Sequence, residues 1–294
     1  MISIIIASGK NELLVDVSEN IRQTIGVDYE IISFDNSYGI QGLCEVYNLG
    51  IAQAKYDLLC FMHEDISIET IGWGKKVIEV FGKYELGILG VAGCTYKSYA
   101  PSGWCPPQEY GRDSWRLNLK QGSKYTSNNE VYEYYNPLNE SISEVVCLDG
   151  VWLCTTKKIA QKYGFDQQLL RGFHGYDIDF SLNVGRHHKL MVTYDILLFH
   201  TSEGNFNTTW LKELLKVHQK WGNLLPLGKS EFDDITNKAK EVVALKRVLK
   251  EISRNEDFSF AEIKSILYYY KKDIPLAFFL KLLVKTYFKR MRKP

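Results

Sequence analysis

The stretch Asp57-Leu58-Leu59-Cys60-Phe61-Met62-His63-Glu64-Asp65 joins an apolar run directly to a cluster of titratable side chains. The apolar run predicts a buried strand, and the cluster then lies at the carboxyl end of that strand. In open α/β sheets, ligands bind at this edge. One imidazole and two carboxylates so close together repel or change protonation unless a cation holds them. A hard divalent cation carrying a phosphorylated ligand is the simplest such partner, and a solvated acidic loop is the alternative.

The sequence around this stretch alternates between apolar runs and segments with helical spacing. The runs Ile2–Ala7, Glu30–Phe34 and Leu86–Ala92 predict three more strands. The alternation predicts right-handed βαβ units, and therefore an α/β fold with a mostly parallel central sheet flanked by helices. After Pro226 the pattern becomes wholly helical, and Ser259 with Glu262 forms a capping-box pattern. We therefore predict a main domain over 1–226 and a C-terminal helical appendage over 227–294.

Composition excludes some classes of function. The chain has 294 residues and a formal net charge of +1, so it has no basic excess with which to bind nucleic acid. Its six cysteines form no CxxC pair, and Cys60 and Cys147 lie in apolar runs, as expected for buried thiols in a reducing compartment. The apolar N-terminus has no basic leader and is too short to span a membrane. These features predict a cytoplasmic protein.

Two further strand ends carry polar residues suited to a ligand site. Asp35 follows the second predicted strand, where it can hydrogen-bond a base or a ribose, although Asp35-Asn36-Ser37 is also typical of a turn. His200 closes the apolar run Ile196–Phe199. It is either a ligand in a mixed imidazole and carboxylate metal site or the polar end of a strand.

The segment Gly172–Phe180 places two carboxylates near the start of a predicted helix. Asp177, facing a cleft, can act as a general base on a hydroxyl acceptor. The alternative is that Asp177 and Asp179 are both helix-start carboxylates that the helix dipole stabilises. We interpret Asp179 as structural in either case.

The region between residues 93 and 143 shows no regular pattern. Pro101, Pro106 and Pro107 interrupt it, and aromatic residues are frequent in it. A long irregular segment within a compact domain is usually functional. We therefore expect either a substrate-contacting segment or a surface insertion with a small aromatic core of its own.

Taken in order, these segments resemble those of the family 2 glycosyltransferases over roughly residues 1–205. The first strand with Ala7-Ser8 is similar to their nucleotide-binding strand, and His63-Glu64-Asp65 occupies the position of their Asp-x-Asp motif. Tyr29–Ser37 is similar to their Glu…Asp…Ser strand, and Asn48-Leu49-Gly50 is similar to their Arg-Asn-x-Gly helix. The segment from Asp149-Gly150 through Phe165-Asp166 is similar to their acceptor-side segment. Tyr176-Asp177-Ile178-Asp179 lies where they carry a Glu-Asp-x-Asp motif.

The resemblance implies a GT-A-like, Rossmann-related fold in which 1–226 binds a nucleotide sugar and carries out catalysis. It implies a nucleotide-diphosphate-sugar donor, a UDP-sugar above all, and Mn²⁺ or Mg²⁺ held by Asp65 and His200. Asp177 is then the general base for a hydroxyl acceptor on a glycan or a lipid-linked glycan, with inversion at the sugar. The donor-side residues are Ala7, Ser8, Asp35, Asn48, His63, Glu64 and Asp65. The acceptor-side residues are Gly150, Trp152, His174 and Tyr176.

Tyr47 replaces the usual Arg before Asn48, and two further departures from the family pattern bear on the site. His63 replaces the first Asp of Asp-x-Asp, which makes the site less anionic, and Tyr176 replaces Glu. The His-Glu-Asp form is similar to that of a bacterial subgroup, whose members would act in polysaccharide biosynthesis. His63 also leaves open a second hypothesis, a GT-A-like protein that binds nucleotide or glycan without catalysis. A sugar nucleotidyltransferase or a dinucleotide-dependent oxidoreductase would need a glycine-rich loop after the first strand, and Ala7–Asn11 is a poor match.

The last segment, 271–294, is strongly basic. It contains eight Lys or Arg residues and one Asp. Helical spacing places five apolar residues on one face, which are Leu276, Phe279, Leu282, Leu283 and Tyr287. The segment therefore predicts a basic amphipathic helix that lies on an anionic membrane at the inner face. The alternative is a helix packed on the main domain. The sequence does not predict an oligomeric state.

Overall fold

The computed structural model describes residues 1–122, 130–201, 204, 206–230 and 233–291, with only the backbone for residues 290 and 291. The strands are, in chain order, β1 (Ile2–Ser8), β2 (Tyr29–Asp35), β3 (Leu58–Met62), β4 (Ile66–Ile68), β5 (Ile88–Gly90), β6 (Ala92–Cys94), β7 (Tyr96–Lys97), β8 (Trp115–Gln121), β9 (Val131–Tyr135), β10 (Ile142–Val145), β11 (Cys147–Leu148), β12 (Trp152–Thr156), β13 (Leu190–Thr193), β14 (Leu198–His200) and β15 (Leu227–Gly228). The α-helices are α1 (Asn11–Thr24), α2 (Leu43–Gln53), α3 (Trp73–Lys83), α4 (Lys157–Tyr163), α5 (Tyr176–Gly185), α6 (Thr208–Trp221), α7 (Asp234–Arg254), α8 (Phe260–Tyr269) and α9 (Leu276–Met291).

A central sheet of seven strands has the order β10-β13-β5-β12-β3-β1-β2. The strands β1, β2, β3, β5 and β13 run in one direction, while β12 and β10 run against their neighbours. Ile5 of β1 belongs to the hydrophobic cluster on one face of the sheet, and Ile4 and Ile6 belong to the cluster on the other face. Because both faces are covered, β1 is apolar throughout its middle. The predicted α/β class is confirmed.

A second sheet covers the carboxyl end of the central sheet and has the order β11-β6-β8-β14-β4, with β9 paired to β8. Most of it lies between residues 93 and 143, so the prediction of an irregular segment there is wrong. The prolines that suggested irregularity all precede β8. The β8–β9 hairpin is built from alternating polar and apolar or aromatic residues, and its inner residues Leu117 and Leu119 are buried.

The C-terminal helices pack on the main domain. Their apolar faces share a hydrophobic cluster with Leu211 and Leu215 of α6 and with Ala100. Within this cluster Phe279 and Leu282 of α9 are buried, so they are not available to a membrane as the sequence predicted. The predicted capping box is present, because Ser259 Oγ accepts from the Glu262 amide and the Glu262 side chain accepts from the Ser259 amide. The boundary at residue 226 stays a prediction.

One carboxylate joins α7 to the main domain. The Glu241 side chain accepts hydrogen bonds from the hydroxyls of Tyr96, Tyr110 and Ser98 at 2.8–2.9 Å. The amides of Tyr99 and Ala100 donate to it as well, at 3.2 and 3.1 Å. Five donors on one partly buried carboxylate fix the position of α7 against the segment that precedes β8.

Candidate active site

A cleft of about 770 Å³ opens at the carboxyl ends of β1 and β3. Parallel strands that end together leave their following loops at one edge of the sheet, where ligands bind. Ten of the residues that the sequence predicted for a site line this cleft. They are Ala7, Ser8, His63, Glu64, Asp65, Gly150, His174, Tyr176, Asp177 and, from the second sheet, His200.

Glu64 fixes the loop that follows β1. Its carboxylate accepts a hydrogen bond from Ser8 Oγ at 2.8 Å and from the amides of Gly9 and Lys10 at 3.1 and 3.3 Å. An anion held by two successive amides and a hydroxyl is strongly bound. Glu64 therefore shapes the donor side of the cleft by holding this loop against the end of β3.

Asp65 lies beside two imidazoles. Its Oδ1 atom is 3.4 Å from His200 Nε2 and 3.9 Å from His63 Nδ1. One ligand atom from each of the three residues lies within 4.8 Å of the other two. The second sheet brings His200 to this place, because β14 pairs antiparallel with β4 and Thr201 donates its amide hydrogen to the Asp65 carbonyl at 2.9 Å.

Neighbouring side chains orient both imidazoles. His200 Nδ1 lies 3.3 Å from Gln121 Oε1, an acceptor, so Nδ1 carries the hydrogen and Nε2 presents its lone pair beside Asp65. His63 Nε2 lies 2.9 Å from the Tyr176 hydroxyl, which itself donates to the Gly150 carbonyl at 2.9 Å. The hydroxyl hydrogen is thus used, and His63 Nε2–H is the donor of the pair. His63 Nδ1 then presents its lone pair toward Asp65.

This arrangement fits a divalent metal ion. Two neutral imidazoles and one carboxylate are a donor set that suits Mn²⁺, and second partners on both imidazoles are typical of metal ligands. The replacement of Asp by His at position 63 therefore still leaves an atom there that fits a metal ion. It exchanges an oxygen donor for a nitrogen donor that Tyr176 holds in place.

Asp177 lines the same cleft and lies in the first turn of α5. Its Oδ2 atom accepts a hydrogen bond from the Gly150 amide at 3.2 Å. Burial, together with the negative charge of Asp149, raises the pKa of the Asp177 carboxyl to about 7. A carboxyl group with a pKa near neutrality can take up and release a proton at physiological pH, which is what a general base requires.

Gly150 connects the two sides of the site. Its amide donates to Asp177 and its carbonyl accepts from Tyr176, which also contacts His63. A Cβ atom at position 150 would lie 2.1 Å from the Tyr176 hydroxyl oxygen, so no larger residue fits. Position 150 therefore requires glycine because any side chain there would overlap with Tyr176.

Three predicted site residues lie elsewhere. The Asn48 carboxamide pairs with the backbone of Phe165, donating to its carbonyl at 2.9 Å and accepting from its amide at 3.0 Å, outside the cleft. Trp152 is fully buried and packs edge-on against Trp73, so it cannot contact an acceptor, and that prediction is corrected. Asp35 is exposed in a smaller depression beside the cleft, where the Ser37 side chain and amide lower its pKa.

Asp179 has the structural role that the sequence suggested. Its carboxylate forms an ion pair with Lys220 at 2.7 Å and accepts from Trp221 Nε1 at 2.7 Å. Lys220 also binds Asp166 at 2.8 Å. These contacts join α5 to α6 behind the cleft.

Sequence reasoning missed several residues of the cleft. Gln121 and Asp149 were not identified, although Asp149 stands next to the Gly150 that was. Lys10 and Arg171 bring positive charge to the cleft lining. The sequence offered one signal for each of these two residues, which was its position beside a motif. Lys10 follows Ala7-Ser8 closely, and Arg171 precedes the glycine-rich segment.

The comparisons with known proteins agree with this geometry. A family model described as "Glycosyltransferase like family" matches residues 3–241. No curated protein matches the chain. Among solved structures, S. aureus TarS 1-349 in complex with UDP-GlcNAc is similar, with 10% identity, a TM-score of 0.57, and 97% of this chain and 89% of that chain covered. GalNAc-T7 with UDP, GalNAc and Mn²⁺ is 11% identical with a TM-score of 0.53, over 100% of this chain and 58% of that chain.

The structural likeness is one of fold, since the identities are low. The family match covers most of the chain, including both strands that flank the cleft and the segment that carries Asp177. The protein therefore has the GT-A fold and belongs to the glycosyltransferase-like family 2.

Proposed function

We propose that this protein is a metal-dependent glycosyltransferase that moves a sugar from a nucleotide-diphosphate-sugar donor, a UDP-sugar above all, to a hydroxyl acceptor with inversion. The observation that carries the proposal is that Asp177 lines the same cleft as the cluster of His63, Asp65 and His200. A base and a metal cluster that line one cleft are the two parts that such a transfer requires.

The donor side of the cleft suits a nucleoside diphosphate. Glu64 holds the loop after β1 in place, and Lys10 and Arg171 bring positive charge that attracts phosphate groups. We propose that Asp35, which lies at the end of β2 beside Ser8 in the smaller depression next to the cleft, hydrogen-bonds the ribose or the base. Mn²⁺ or Mg²⁺ held by Asp65, His200 and His63 supplies positive charge that stabilises the departing diphosphate. TarS and GalNAc-T7, which share this fold, were solved with UDP-GlcNAc and with UDP and Mn²⁺.

Asp177 provides the base for a one-step displacement. The acceptor hydroxyl gives its proton to the Asp177 carboxylate as its oxygen forms a bond to the anomeric carbon. The bond between that carbon and the diphosphate oxygen breaks, and its electron pair leaves with the nucleoside diphosphate. Because one attack from the opposite side replaces the leaving group, the configuration at the anomeric carbon inverts. The Gly150 amide orients the Asp177 carboxylate throughout.

The acceptor side suits a sugar. Trp104, Phe173, Phe206 and Trp210 line the cleft, and Phe173 and Phe206 are exposed in it. Aromatic rings in a solvent-exposed cleft can pack against the apolar C–H faces of pyranose rings. We propose a glycan or a lipid-linked glycan as the acceptor. No helix in the described part of the chain is long and apolar enough to cross a membrane.

A thermal-shift screen of nucleotide sugars with Mn²⁺ and Mg²⁺ tests donor binding, since a ligand that binds the native state raises the unfolding temperature. Release of nucleoside diphosphate from the donor that binds then tests turnover. Asp177→Asn should retain the thermal shift and lose turnover, with Asp195→Asn as a control at an exposed carboxylate. Binding without turnover in the wild type would instead support the non-catalytic protein. Unchanged turnover in Asp177→Asn would remove that residue from its role.

A further inference from the structure

Helix α9 carries an apolar surface in addition to the one it buries. Phe279, Leu282 and Thr286 are buried against the other C-terminal helices. A second set of large apolar residues on the same helix is 45–60% exposed, and we name it the α9 stripe. The α9 stripe consists of Leu276, Leu280, Val284, Tyr287 and Phe288.

The spacing of the α9 stripe makes it one continuous surface. Its members follow each other at intervals of four, four, three and one residues. At 3.6 residues per turn these positions fall within an arc of about 120°. Soluble monomers seldom expose a contiguous row of large apolar side chains, and such a surface marks an interaction site.

The charges beside the stripe identify its partner. Lys281 and Lys285 are exposed and follow the stripe along one edge at the same four-residue spacing. The stripe itself contains Tyr287, and tyrosine is enriched at membrane–water interfaces. An apolar arc that contains a tyrosine and is bordered by lysines matches a surface of lipid acyl chains bordered by anionic headgroups.

We propose that the α9 stripe binds the surface of an anionic membrane, with the stripe inserted among the acyl chains and Lys281 and Lys285 at the headgroups. The apolar face that the sequence predicted for this contact included Phe279 and Leu282, which are buried. The α9 stripe therefore keeps only Leu276 and Tyr287 of the predicted face. Membrane binding of this kind needs neither donor nor metal.

Vesicle flotation of the full chain tests the proposal. Vesicles of 30% phosphatidylglycerol in phosphatidylcholine should carry the wild type upward. The double variant Leu280→Asp/Val284→Asp should show an at least tenfold smaller bound fraction. The matched control Val15→Asp/Ile71→Asp places two charges at exposed apolar positions of the main domain and should bind as the wild type does. Equal loss in both double variants, or a wild type that does not float, would overturn the proposal.

The charge of the surface gives a second test that leaves the apolar stripe intact. The double variant Lys281→Glu/Lys285→Glu should also show an at least tenfold smaller bound fraction. The wild type should show the same reduction when the vesicles contain only phosphatidylcholine. A wild type that sediments as a dimer, with Leu280→Asp/Val284→Asp a monomer, would show that the stripe binds a second copy and would overturn the membrane assignment. Flotation is measured without donor or acceptor, so its outcome is independent of whether transfer occurs.

Discussion

His200 Nε2 lies 3.4 Å from Asp65 Oδ1, although Asp65 lies in the turn before β4 and His200 ends β14, far away in the chain. The antiparallel pairing of β14 with β4 brings the two side chains together. The proposed metal site therefore depends on the second sheet as much as on the central one. Most of the predictions below follow from this relationship and from the placement of Asp177 in the same cleft.

Asp65→Asn should abolish stabilisation by metal. In the wild type, Mn²⁺ at a hundredfold excess over its dissociation constant should raise the free energy of unfolding by about 2.7 kcal/mol. The amide in Asp65→Asn is a weaker, uncharged ligand, so the added stability should largely disappear. Urea unfolding with and without Mn²⁺ measures both values. Asp195→Asn, at an exposed position, should respond to Mn²⁺ as the wild type does, and a full response in Asp65→Asn would place the metal elsewhere.

Gln121→Leu should weaken metal binding without removing a ligand. The Gln121 side chain accepts from His200 Nδ1, and loss of such a partner typically lowers metal affinity about 10- to 100-fold. Gln121→Glu keeps an acceptor at this position and should bind at least as tightly as the wild type. Titration calorimetry with Mn²⁺ measures the three affinities. Equal affinity in the leucine and glutamate variants would show that Gln121 does not orient His200.

The rate of transfer should rise with pH through about 7. Asp177 acts as a base only when deprotonated, and burial together with Asp149 raises its pKa to about 7. Activity should therefore be low at pH 5 and level above pH 8, with a positive charge from bound metal moving the midpoint lower. The dependence of kcat/KM on pH at saturating Mn²⁺ measures this. A flat profile between pH 5 and pH 9 would contradict the assignment of the base.

Asp177→Asn should make the protein more stable at high pH. The native pKa of Asp177 lies above that of the unfolded chain, so the wild type loses stability from this group as pH rises from about 4 to about 7. The asparagine keeps the acceptor for the Gly150 amide and carries no charge. We expect a gain of about 1–4 kcal/mol at pH 8.5 and little difference at pH 4. Urea unfolding of both proteins at the two pH values measures this difference in the free energy of unfolding. An equal gain in stability at both pH values would show that the charge of Asp177 is not its cause.

Local patterns predicted the first half of the fold well. The continuous apolar run of β1 and the helical spacing after it need only neighbouring residues to be recognised. The same holds for the capping box at Ser259, whose two hydrogen bonds form within one turn. These elements follow from short-range physics, and the alternation of strand and helix then fixes the class of fold.

Long-range pairing explains what the sequence did not predict. The second sheet joins short strands from distant parts of the chain, and none of them shows a strong pattern alone. The resemblance implied that Trp152 lies on the acceptor side, but alternate residues of a strand face opposite sides, and the Trp152 side chain lies in the core against Trp73. A polar side chain on a helix, such as that of Asn48, can hydrogen-bond either a ligand or a neighbouring loop, and the sequence does not distinguish the two. In the structure the Asn48 side chain pairs with the backbone of Phe165.

The five hydrogen bonds that Glu241 accepts set a lower limit on the length of any shortened form of this protein. A chain cut at residue 226 would keep Tyr96, Ser98 and Tyr110 and lose the carboxylate on which they converge. The same cut would uncover the apolar side of α6 that Leu211 and Leu215 form. Expression trials aimed at the catalytic part alone should accordingly end after Arg254, where α7 is complete.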